Sequence, residues 1–127
     1  MSQPLHSLLD GPRVTLFVDS GRHRALTEIQ SFVDSVHYII DPDMFRIDVA
    51  ELNWMKRLLR NGYIGTTICV SFHELFVMET IVMAAAEYAA RKSTPIRLNV
   101  TAEQFDGLTA WFSQAREQLR SFQPTVQ

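Results

Sequence analysis

The chain has 127 residues, of which 46% are hydrophobic and 20% charged, and its formal net charge is -2. That is the length of one domain, taken here as 1–127, with enough apolar content for a core that needs no metal or disulfide staples. The charge balance works against the sequence-independent phosphate attraction on which most nucleic-acid binding rests; it leaves room for a local basic patch, and no nucleic-acid partner is expected.

Residues 1–12, with Pro4, Gly11 and Pro12, read as a loosely ordered start. Met1 to Gly11 lacks the basic region and long apolar run of a signal peptide. Arg13 to Asp19 is rich in β-formers and reads as a strand, closed by Ser20-Gly21. From Arg24 the apolar residues fall at Ala25, Ile29, Phe32, Val33, Val36 and Ile40, which is helical spacing and predicts a helix near 24–38. The stretch 36–47 stays open between a helix end and a hairpin. Val36 to Ile40 is β-branched and aromatic, Asp41-Pro42-Asp43 is a turn, and Met44 to Ile47 could pair back.

Three capping boxes punctuate the rest. Asp48 with Glu51 opens a helix over 48–61, with Val49, Leu52, Met55, Leu58 and Leu59 as its stripe. Lys56, Arg57 and Arg60 suit the negative end of its dipole, and Asn61-Gly62 is a stop signal. Thr66 to Val70 reads as a short buried strand. Ser71 with Glu74 opens a helix over 72–91, ended by Ser93-Thr94-Pro95. Ile96 to Val100 could be extended. Thr101 with Gln104 opens an amphipathic helix over 102–121, apolar at Phe105, Leu108, Trp111, Phe112, Ala115 and Leu119. The expected fold is α+β, mostly α: about four helices packed with a small, short-stranded sheet.

The order of Ser71, Glu74-Leu75, Val100-Thr101, Glu103-Gln104 and Leu108 within 66–121 resembles small bacterial strand-helix-helix proteins, some of them immunity- or regulator-like. The resemblance implies a compact strand-helix-helix unit and no activity.

The residues that could carry chemistry stand in incomplete sets. His73-Glu74 opens a helix as zinc peptidases do, but Val77 occupies the place of the second histidine. Asp34 and His37 form one carboxylate-x-x-His pair where a di-iron centre needs two. No metal and no cofactor is expected. Cys69 precedes a helix start, where a thiol can be activated. No Arg or glycine follows as a phosphatase loop requires, and a core thiol is expected. A lone thiol builds no disulfide framework, so a reducing, cytoplasmic setting is expected. His73, Glu74, Glu79 and Glu87 interrupt the most apolar stretch, 68–90, and no membrane span is expected.

Two features could meet a partner. Arg22, His23 and Arg24 form a candidate anion or partner patch. The 72–90 helix carries large apolar groups almost all round, and Trp54 points away from the stripe of its own helix. Trp54, Phe72, Phe76, Met83 and Tyr88 are therefore the candidate interface, with Tyr63 near its rim. The reading that follows is a non-catalytic protein–protein interaction module, regulatory, immunity-like or antagonist, working as a homodimer with a further, unidentified protein partner. Its rival is a small enzyme or ligand binder with a pocket near His37, Cys69 and His73.

Overall fold

A computed structural model describes residues 13–63, 66–91 and 96–122. The order is β1 (Arg13–Phe17), α1 (Ser20–Val36), a 3-10 turn (His37–Ile39), α2 (Val49–Asn61), β2 (Thr67–Ser71), α3 (Phe72–Ala89) and α4 (Ala102–Phe122). The fold is α+β and mostly α, with one two-stranded antiparallel sheet. The expected loose start at 1–12 and the Ser93-Thr94-Pro95 stop lie outside the described residues.

The strands pair Arg13 with Ser71, Thr15 with Cys69 and Phe17 with Thr67. Side chains alternate across a strand, so Val14, Leu16, Ile68 and Val70 face the core while Arg13, Thr15, Phe17 and Cys69 face out. Cys69 is thus exposed, which corrects the expectation of a core thiol. The run Ile-Cys-Val is apolar, but only every second residue of the strand is turned inward.

Each helix starts where a side chain can satisfy its free N–H groups. Ser71 Oγ accepts from the Glu74 N–H at 3.1 Å, while the Glu74 carboxylate accepts from the Ser71 N–H. Thr101 and Gln104 make the same reciprocal pair, and Glu51 accepts from the Asp48 N–H at 2.9 Å. α1 begins four residues earlier than its apolar periodicity predicts. Asp19 is its N-cap, and the carboxylate accepts from the Arg22 N–H at 2.7 Å. Residues 36–47 close as a 3-10 turn followed by loop, without a hairpin. Ile96 to Val100 forms no strand.

Gly62 caps α2 with φ -92°, so no left-handed turn is involved. A Cβ there would lie 2.8 Å from Leu58 Cδ1 and 3.0 Å from Leu58 O, a tight fit that glycine relieves.

One hydrophobic cluster draws on every helix and both strands. Leu26, Ile29, Leu52, Met55, Leu75, Met78, Ile81 and Phe112 are among its fully buried members. Each large side chain so buried contributes about 1.5–3 kcal/mol. α1 and α2 run antiparallel. The His23 Nε2–H donates to Leu59 O at 2.7 Å, and the Gln30 amide donates to Leu52 O at 3.2 Å. Trp111 Nε1–H donates to Phe17 O at 3.0 Å and ties α4 to β1.

Candidate functional site

The outer side of α3 is an apolar surface that the fold leaves open; Phe17, Tyr38, Met44 and Val49 are exposed on other elements. At 100° per residue, Phe72, Phe76, Met83, Glu87 and Ala90 fall within an arc of about 60°. Nine other α3 residues, from Glu74 to Tyr88, are buried. Phe76 is 61% exposed and Met83 55% exposed, and Phe72 is half-buried. On the flank toward α4, Glu79 is neutralised by an ion pair with Arg116.

Toward its C-terminal end the stripe opens into a groove of about 580 Å³. Ala86 and Ala90 are among its lining residues, with Phe45 and Met83 as apolar walls and Glu87 and Arg91 as its charged edge. Glu87 and Arg91 pair at 3.1 Å. Arg91 also lies over the Tyr88 ring, 4.1 Å from its centroid.

Two of the five candidate interface residues are not on this surface. Trp54 is 6% exposed and Tyr88 2% exposed. Both are core residues of the chain, which corrects their placement at an interface. Trp54 extends the buried arc of α2 beyond the Leu52-Met55-Leu59 stripe. Tyr88 turns inward beneath the 41–47 loop, where its hydroxyl accepts from the Asp41 N–H at 2.9 Å. Tyr63, expected at the rim, is half-buried: its hydroxyl donates to Val18 O and its ring stacks on His23 at 3.9 Å. Phe45, Ala86 and Ala90 are the additions. Their small size and loop position gave no sequence signal, because the groove exists only once the loop lies across α3.

The residues of the rival pocket are spread out. His73 lies in the first turn of α3, and Tyr88 is 15 residues on, about 22 Å along the axis. His37 sits at the Tyr88 end, where its Nε2–H donates to Ile47 O at 2.5 Å. Cys69 is on the outer face of the two-stranded sheet. The clefts at the other end of the molecule involve different groups. Two, of about 230 Å³ each, meet at Arg22 between the start of α1 and α4.

Glu74 is the one fully buried acid among the described residues. Its Oε1 accepts from the Ser71 N–H and from Arg13 Nη2, while Oε2 is buried without a hydrogen-bond partner. Cap and ion pair account for Glu74. Among the described residues no three His, Cys, Asp or Glu side chains stand close enough to hold a metal ion. No helix among them is long and apolar enough to cross a membrane.

No protein-family model, curated protein or solved structure matches the chain.

Proposed function

We propose that the chain is a non-catalytic protein–protein interaction module, regulatory or immunity-like, that works as a homodimer through the outer side of α3. The observation that carries this reading is the pair Phe76 and Met83, both more than half exposed on one stripe of a helix whose opposite side is buried. Monomers rarely leave a contiguous apolar face open, and two-fold pairing is the commonest way to cover one.

The stripe is self-complementary. Phe76 and Met83 stand at equal distances from the midpoint between Glu79 and Thr80. In an antiparallel pair of α3 helices, one copy's Phe76 meets the other's Met83, a favourable sulfur–aromatic contact. The same register carries Glu87 to the N-terminal turn of the other α3, where the helix dipole is positive. The non-catalytic part of the reading rests on the polar groups being engaged in structure: Glu74 in its cap and ion pair, His23 and His37 on backbone carbonyls.

A cysteine cross-link tests the arrangement. In a Cys69→Ser background, Thr80→Cys lies beside the proposed two-fold axis and Ser113→Cys lies on α4. Mild oxidation is expected to give a covalent dimer with Thr80→Cys and little with Ser113→Cys. Equal yields at the two positions contradict an α3–α3 interface.

A further inference from the structure

A second surface, distinct from the α3 stripe, forms where α1 begins and α2 ends. The His23–Leu59 hydrogen bond, 2.7 Å long, sets these two helix ends side by side. The first turns of α1, which carry Arg24, thus lie beside the last turns of α2, which carry Lys56, Arg57 and Arg60. The three α2 cations occupy an arc of about 100° that begins beside Leu52 and turns away from Met55 and Leu59. Arg24, Lys56, Arg57 and Arg60 are all exposed. Among the described residues none of the four belongs to an ion pair. The nearby Asp19 is taken by Arg22 at 3.1 Å.

Helix stability accounts for only part of this cluster. Cations at the end of α2 suit its dipole, but cations near the start of α1 oppose theirs. α1 has no acidic residue in its first turn to relieve them. The positive end of the α1 dipole adds to the field of the four side chains. In a chain of net charge -2, this concentrates positive potential at one place.

We propose that this surface binds a carboxylate-rich segment of a partner protein. Charge complementarity selects an acidic ligand, and two features select a peptide over a nucleic acid. Stacking platforms for bases are missing from the patch, since the Tyr63 ring is covered by His23 and Trp54 is buried. The acidic remainder of the chain repels a long polyphosphate that runs past the patch.

The test is fluorescence anisotropy of the full chain with a labelled dodecapeptide of alternating Asp and Glu, set against oligothymidylate of the same length. The peptide is expected to bind at low salt and to weaken at high salt as screening grows. The triple variant Arg24→Gln/Lys56→Gln/Arg60→Gln is expected to weaken peptide binding about ten-fold or more, as loss of a charged contact surface does. The control Arg97→Gln/Arg120→Gln is expected to bind as the wild type does. Arg57→Gln alone, which changes one exposed side chain, is expected to give a smaller loss in the same direction and keeps the test open if the triple variant fails to fold. Absence of peptide binding at low salt, or unchanged binding in the folded variants, overturns the proposal. Tighter binding of oligothymidylate than of the peptide overturns the choice of partner.

Discussion

The buried carboxylate of Glu74 lies 2.5 Å from the guanidinium of Arg13, joining the first turn of α3 to the start of β1. The same oxygen accepts from the Ser71 N–H, so one atom holds the strand, the helix cap and the paired strand together. Glu74→Ala removes the pair and half of the capping box. Breaking a buried pair costs about 3–5 kcal/mol, and the partial exposure of Arg13 reduces that to about 2–3 kcal/mol here. Glu74→Gln keeps an acceptor for the Ser71 N–H and is expected to lose less. Urea denaturation of the two variants measures the difference. Equal losses would mean that the cap contact kept by glutamine contributes nothing beyond the ion pair.

Ser71→Ala removes the hydroxyl that accepts from the Glu74 N–H. The expected loss is about 1 kcal/mol, typical of an N-cap. It reads out as a lower urea midpoint with an unchanged slope.

Thr66 has φ 77°, in the left-handed region that β-branched residues avoid. The Thr66 carbonyl accepts from the Val18 N–H at 2.8 Å, which holds the residue there and extends the sheet by one bond. Asparagine tolerates this conformation, so Thr66→Asn is expected to stabilise the fold by roughly 0.5–1 kcal/mol out of the ~1–2 kcal/mol such strain costs. Thermal denaturation checks it. A lower midpoint would show that the threonine side chain makes a contact worth more than the strain.

Cys69 is exposed on the outer face of β2. A thiol reagent is therefore expected to label one thiol per chain in the native protein, at a rate close to that in denaturant. Labelling that waits for unfolding would place the thiol back in the core. Cys69→Ser is expected to leave stability nearly unchanged, as surface substitutions usually do.

Local chemistry in the sequence accounts for the element starts. The pairs Asp48/Glu51, Ser71/Glu74 and Thr101/Gln104 each span three residues, and each marks the helix that the fold contains. Asp19 gives a weaker signal, because Ser20-Gly21 suggests a turn and Arg22 to Arg24 hides the apolar period. The inward or outward direction of single side chains depended on packing. Cys69 follows from the register with Thr15, Trp54 from the breadth of the α2 contact, and Tyr88 from the loop that crosses it. For the candidate surfaces, Phe72, Phe76 and Met83 could be named from helical spacing alone. The groove needs the 41–47 loop laid against α3. The basic surface needs residues from two helices, and only the antiparallel α1–α2 packing joins Arg24 to Lys56, Arg57 and Arg60.

Homodimerisation through α3, as proposed, doubles the mass of the particle in solution. Light scattering of the wild-type chain at micromolar concentration is expected to give twice the monomer mass of 14.6 kDa. The variant Phe76→Glu/Met83→Glu, which places two charges on the stripe, is expected to return it to the monomer value while keeping its helical circular dichroism. A wild-type mass of 14.6 kDa would rule out the α3 dimer.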